Sequence, residues 1–150
     1  GKPWLPFRII SNPLYGKLFT NTFAMMYGQT TMSSSANSNF PNGQTPSNYI
    51  NDTSAALILR PKTLESYATD ALNLREALAL QQHSYIKLTL PVTIMSGDED
   101  DVTPNKIHSY KLHNDISHSN LIKVSGVAHS IPELKPSLIK IEIEKILKDK

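Results

Sequence analysis

Two short apolar runs, each followed by a glycine, constrain the fold of this chain more than any other feature. Residues 90–95 are almost continuously hydrophobic and are ended by Gly97, while residues 121–124 form a second run with Gly126 just beyond it. Runs of this length and character are typical of strands that are buried on both faces of a parallel sheet. The intervening residues 104–112 fit a crossover helix. We therefore predict two parallel strands joined by a right-handed connection.

The other apolar patterns predict helices. Leucine, phenylalanine and methionine side chains in residues 13–26 fall along one side of a helix, and Pro61 opens the longest helical pattern, which runs to about Gln82. A short helix is expected over 46–59 and a terminal helix over 136–147. Residues 30–46 are rich in Ser, Asn, Gly and Pro without apolar periodicity, so we expect an exposed loop there.

Composition excludes several classes of function. The 15 basic and 13 acidic side chains give a net charge of only +2, which provides no basic field for nucleic acid and no polybasic patch for a membrane surface. No apolar run approaches the roughly 20 residues that span a bilayer. With no cysteine, disulfides and thiolate metal sites are excluded, and a reducing compartment is favoured. We expect no nucleic-acid partner, no membrane span and a cytoplasmic location.

An acid and a histidine follow the two predicted strands. Asp100 comes after the first strand and His129 after the second, so both should lie at the carboxyl edge of the sheet. Such a pair can act as base and orienting partner in nucleophilic catalysis. Alternatively, Asp100 is an ordinary loop acid and His129 a structural histidine. The sequence contains no Gly-x-Ser-x-Gly and no cysteine, so no nucleophile is visible.

Metal binding is not expected at these positions. The acidic run 98–101 lacks the alternating ligands and the distant Glu of a calcium loop, and Asp98 and Asp101 are better interpreted as caps. The three histidines at positions 108, 113 and 118 recur every five residues, which scatters them around a helix. We therefore predict no metal and no cofactor.

The strand-end motifs resemble those of the α/β-hydrolase family. The first has the family pattern Pro-Val-x-x-x-x-Gly-x-x-Asp-x-Val-x-Pro, and its matching residues here are Pro91, Val92, Gly97, Asp100, Val102 and Pro104. The second is similar to the family's Gly-x-Gly-His and reads Gly126-Val127-Ala128-His129, with Ala128 where glycine is commoner. The spacing between the motifs leaves room for a crossover helix and a strand, as in that family.

The resemblance implies a fold and an activity. The fold would be α/β, a partial α/β-hydrolase fold in which a helical lid (1–86) precedes the last two parallel strands and their helices (87–150). The activity would be that of a serine esterase, with Asp100 and His129 as two members of a catalytic triad acting on a small apolar ester-like substrate. The strands before the lid, the oxyanion loop and the nucleophile would be missing.

We therefore expect a carboxyl-terminal fragment that is inactive without a separate amino-terminal half of the same fold. The first residue, Gly1 instead of Met, fits this expectation of truncation. Two alternatives stay open. In the first, the chain is a non-catalytic binding or interaction module derived from the same fold. In the second, the missing nucleophile is an aspartate, as in the dehalogenase relatives of this fold.

Overall fold

The computed structural model describes residues 5–148, apart from the side chains of Phe23, Ala24, Met25 and Gln29. Two elements of the sequence interpretation lie outside this part: the residues at the very start of the chain, and the place of Phe23 on an apolar helix face. The chain divides into two compact units, Gly1–Ala36 with Pro46–Gln81, and Asn37–Thr45 with Gln82–Lys150.

The first unit is helical. Its elements are α1 (Leu5–Ile10), α2 (Gly16–Asn21), α3 (Phe23–Asn37, whose last residue falls in the other unit), α4 (Tyr49–Asp52), a 3-10 helix (Ala55–Leu59) and α5 (Pro61–Gln81). Both α1 and α2 pack against α5. Ala68 of α5 is completely buried, because a methyl side chain leaves room for close helix approach. Phe7 and Tyr67 add an edge-to-face contact with ring centroids 5.5 Å apart.

The predicted loop over residues 30–46 is wrong in its first half, where α3 continues to Asn37. Residues 30–37 contain neither glycine nor proline, so nothing in the backbone ends the helix there. The threonine hydroxyls donate hydrogen bonds to helix carbonyls, as Thr30 does to Tyr27 O at 2.8 Å. These bonds satisfy the polar side chains, so the helix continues although it has no apolar face. Only the remainder of that segment is irregular.

Other predicted helices differ in their ends. The pattern over 13–26 is interrupted at Thr22, whose φ of −121° and ψ of −85° end α2. The helix predicted over 46–59 is instead α4 and a 3-10 helix separated by Ser54, which has a left-handed φ of 52°. The long helix from Pro61 is confirmed and ends at Gln81.

The second unit contains a two-stranded parallel sheet. After a 3-10 helix (Gln82–Lys87) come β1 (Thr93–Gly97), α6 (Ser109–Asp115), β2 (Asn120–Val124), α7 (Ile131–Leu134) and α8 (Pro136–Lys148). The strands are in register from Thr93 opposite Asn120 to Gly97 opposite Val124. The prediction of an α/β fold with two parallel strands is confirmed at this level.

The ends of these elements also differ from the prediction. β1 starts three residues later than expected, after Pro91, which has no amide to donate to a neighbouring strand. α6 starts at Ser109 instead of residue 104, because residues 104–108 form a turn. The terminal helix is confirmed as α8.

The core of the second unit lies under the carboxyl end of β2. Val124, Val127 and Ile131 are buried there, and Val127 is completely excluded from solvent. Partly buried side chains of β1, β2, α7 and α8 surround them, namely Met95, Ile122, Leu134, Leu138 and Ile139. This core fixes the segment between β2 and α7, which carries His129. Within residues 5–148, no helix has both the length and the apolar character needed to cross a membrane.

Candidate active site

The loops that follow β1 and β2 lie directly against each other. A side chain added at Gly97 would place its Cβ 2.2 Å from the Val127 carbonyl oxygen and 2.3 Å from that of Ala128, so only glycine fits. Two residues after Gly97, the Glu99 amide donates to Val127 O at 3.0 Å. These contacts join the loop that carries Asp100 to the loop that carries His129.

Asp100 and His129 form a hydrogen bond at this junction. His129 Nδ1 lies 3.0 Å from Asp100 Oδ2. The other carboxylate oxygen, Oδ1, accepts the amides of Val102 at 2.9 Å and Thr103 at 2.8 Å. The Thr103 hydroxyl donates to Oδ2 at 2.8 Å. The structure thus brings the two predicted residues together, while their catalytic role stays a prediction.

The environment of Asp100 keeps its carboxylate ionised. Its side chain is only 8% exposed, and burial raises the pKa. Hydrogen bonds from the Thr103 amide, His129 and the Thr103 hydroxyl more than offset this effect and leave the pKa of Asp100 below its ordinary value of 3.8. An ionised carboxylate can only accept hydrogen bonds, so the proton of neutral His129 must sit on Nδ1.

This tautomer leaves Nε2 of His129 with a free lone pair. The His129 side chain is 42% exposed, and nothing in residues 5–148 forms a hydrogen bond with Nε2. The Thr103 hydroxyl, 3.3 Å from Nδ1, uses its single proton on Asp100 and can only accept from the imidazole. The pair therefore presents an oriented base to solvent.

Asp98 makes a different set of contacts and does not touch His129. Its Oδ1 accepts the Gly126 amide at 2.8 Å, and its Oδ2 accepts the Ser125 hydroxyl at 3.0 Å. The Ser125 hydroxyl, followed by the Gly126 amide, lowers the pKa of the exposed Asp98 carboxyl. Asp98 thus caps the turn after β2 instead of a helix.

A buried polar network beside Asp100 was not anticipated from the sequence. Ser96, only 4% exposed, is hydrogen-bonded to the Asn105 side chain and accepts the Ser109 hydroxyl at 2.9 Å. The side-chain amide nitrogen of Asn105, Nδ2, donates to Gly97 O at 2.8 Å. This network ties the start of the α6 segment to the end of β1. The only signal in the sequence was a serine within an apolar strand. Because the network engages the buried Ser96 hydroxyl, Ser96 is excluded as a free nucleophile.

Two of the remaining histidines, His113 and His118, form structural contacts. His113 Nδ1 lies 2.8 Å from the Ser119 hydroxyl, and His118 Nε2 lies 2.9 Å from Leu90 O. No group of three or more His, Asp or Glu side chains in the described ranges is placed to hold a metal ion. A recess of about 540 Å³ opens beside β2 and the start of α8, between Lys123 and Ile141, and is lined by neither Asp100 nor His129.

Comparisons of the sequence with models of known protein families and with curated proteins give no match.

Proposed function

We propose that this chain is the carboxyl-terminal part of an α/β-hydrolase and supplies the acid and histidine of a nucleophile–His–Asp triad. The observation that carries the proposal is the 3.0 Å hydrogen bond from His129 Nδ1 to Asp100 Oδ2, together with the 42% exposure of the His129 side chain and the lack of a hydrogen bond from residues 5–148 to Nε2. The family motifs around both residues support the same assignment. The substrate class is a small apolar ester or a similar acyl compound.

The proposed roles follow from the geometry. His129 Nε2 removes the proton of the attacking nucleophile and later returns it to the leaving group. Asp100 holds the imidazole in the tautomer that has Nδ1–H and stabilises the imidazolium that forms. Both tasks require the acid to stay ionised, and the hydrogen bonds that lower the pKa of Asp100 favour this.

The proposal assigns the nucleophile to a residue outside these 150 residues. The sequence has no Gly-x-Ser-x-Gly, Ser96 is engaged in a buried network, and Ser130 is only 6% exposed. We propose that a separate amino-terminal half of the fold supplies the nucleophile and the amides that bind the oxyanion. Without that half, the pair has nothing to deprotonate, and the chain does not hydrolyse esters.

A non-catalytic interaction module is the second candidate. The observation that favours it is the exposure of large apolar side chains on the first unit, with Leu14 88%, Leu18 67% and Met26 75% exposed. Apolar side chains exposed to this extent often belong to protein–protein contacts. On this alternative, the chain binds the amino-terminal half or another protein but contributes no proton transfer.

Hydrolysis of a chromogenic p-nitrophenyl ester distinguishes the two candidates. The wild-type chain alone should hydrolyse the ester no faster than a His129→Ala variant. When a hydrolase amino-terminal half bearing Gly-x-Ser-x-Gly is co-expressed and co-purified, hydrolysis should appear, and His129→Ala should reduce it by roughly 10²- to 10⁴-fold.

The matched control is His118→Ala, which removes a histidine whose Nε2 is hydrogen-bonded to the Leu90 carbonyl and should retain the activity. A stable complex without His129-dependent hydrolysis would favour the interaction module. Turnover by the chain alone that depends on His129 would contradict the fragment proposal and would require a nucleophile within these residues.

A further inference from the structure

The carboxylate of Asp98 joins the two loops that carry the candidate pair. Asp98 lies two residues before Asp100, on the loop after β1. Its two oxygens bind the turn after β2, through the Gly126 amide at 2.8 Å and the Ser125 hydroxyl at 3.0 Å. That turn leads directly to His129. A single side chain therefore bridges both loops while touching neither member of the pair.

The turn that Asp98 holds needs an external acceptor. Gly126 has a left-handed φ of 69°, and its amide donates to the Asp98 carboxylate at 2.8 Å. The loops are also joined by the packing at Gly97, by the bonds from the Asp98 amide to Val124 O and from the Glu99 amide to Val127 O, both 3.0 Å long, and by the contact of Asp100 with His129. Removing the Asp98 carboxylate would leave the Ser125 hydroxyl and the Gly126 amide without their acceptor, and would leave the relative position of the loops less restricted.

We propose that Asp98 is a positioning residue for the pair: its carboxylate sets the separation of the two loops so that Asp100 and His129 meet at hydrogen-bond distance. This role rests on the proposed function of the pair as a base. It accounts for two acids in the same loop, since Asp100 orients the imidazole directly and Asp98 orients the backbone that carries it.

The tautomer of His129 provides the test, because it reports the contact with Asp100 and requires no turnover. At a pH at which the imidazole is neutral, ¹⁵N resonances of the wild-type chain should show the His129 proton on Nδ1 and none on Nε2. In Asp98→Ala, the ratio of the Nδ1–H to the Nε2–H tautomer should fall by roughly threefold or more, as expected for residues that are coupled through a shift of the backbone. Asp98→Asn keeps an acceptor for the Gly126 amide but not for the Ser125 hydroxyl, and should shift the ratio less than Asp98→Ala.

Two further variants complete the design. Asp115→Ala removes an exposed acid at the end of α6 that has no side-chain partner in residues 5–148, and it should leave the tautomer unchanged. Ser125→Ala removes one of the two contacts of Asp98 and should give a smaller shift in the same direction as Asp98→Ala. The second of these decides the matter if Asp98→Ala does not fold.

A wild-type tautomer ratio in folded Asp98→Ala, or in Ser125→Ala where Asp98→Ala is unfolded, would overturn the positioning role. An equal shift in Asp115→Ala would also overturn it, since the effect would then be one of charge. Loss of the Nδ1–H tautomer in the wild-type chain would instead refute the proposed base. The two failures are therefore distinguishable.

Discussion

Replacing Gly97 by alanine should damage both the stability of the second unit and the geometry of the pair. The added Cβ would lie 2.2 Å and 2.3 Å from the carbonyl oxygens of Val127 and Ala128. Real Cβ atoms essentially never come within 3.0 Å of such atoms, so one loop must move by close to 1 Å. Because both atoms belong to the backbone, no side-chain rotation can relieve the contact.

The expected cost lies at the upper end of the range for overpacking. Insertion of extra atoms into a packed region typically costs 1–3 kcal/mol, so we expect the free energy of unfolding to fall by about 3 kcal/mol in Gly97→Ala. This is a large part of the 5–15 kcal/mol that is typical of a domain. Because the displaced carbonyls directly precede His129, its hydrogen bond with Asp100 should lengthen as well.

Urea unfolding followed by circular dichroism measures the cost, with Gly126→Ala as the matched control. Gly126 lies in the same loop pair and has a φ of 69°, but nothing approaches the position of its Cβ within 4 Å. Its substitution should cost only the left-handed backbone penalty of about 1–2 kcal/mol. If Gly97→Ala is no more destabilising than Gly126→Ala, the close approach of the two loops is refuted.

Two other substitutions test electrostatics and backbone strain. The pKa of Asp100 in the folded chain lies below its ordinary value of 3.8. Asp100 therefore contributes stability that is fully present above pH 3.8 and is lost as the pH falls through the folded pKa. The urea midpoints of wild type and Asp100→Asn should differ most near neutral pH and converge in acid. At Ser54, whose φ is 52°, glycine should raise the free energy of unfolding by up to about 1 kcal/mol, whereas valine should lower it by about 1–2 kcal/mol. A constant difference between wild type and Asp100→Asn at all pH values would argue against the lowered pKa of Asp100. Equal urea midpoints for Ser54→Gly and Ser54→Val would argue against the left-handed conformation of Ser54.

The sequence predicted those features that depend on local patterns, namely short apolar runs that are ended by glycine. The two strands were recognisable because a short apolar run followed by glycine has few other interpretations, and the juxtaposition of Asp100 and His129 followed from parallel strands ending at one edge. The continuation of α3 through residues 30–37 was missed because apolar periodicity is silent about helices whose polar side chains bond to their own backbone.

Contacts between distant segments could not be predicted from local patterns. Residues 37–45 belong to the second unit, where the Asn39 carbonyl accepts the Ser130 amide at 2.9 Å and Phe40 is buried. No motif in that segment indicates where it packs. Similarly, the run of four acids at 98–101 does not reveal that Asp98 binds the turn after β2, because any of the four side chains could have filled that role.

The sheet and the candidate site share one requirement. The Asn120 amide donates to Val92 O at 2.8 Å and the Asp98 amide to Val124 O at 3.0 Å, so even-numbered residues of β1 direct their backbone groups at β2. Thr93 and Met95 then direct their backbone groups to the opposite side, where no strand of the described chain lies.

Two strands alone make a marginal sheet, and an open edge without a charged side chain favours association with another strand. An amino-terminal half that adds a strand beside β1 would satisfy this edge in the same step that brings a nucleophile to His129. Stability and ester hydrolysis should therefore be gained together in the co-expression experiment. A gain in stability without hydrolysis would favour the interaction module, and hydrolysis without a gain in stability would show that the strand edge of β1 is not completed by that half.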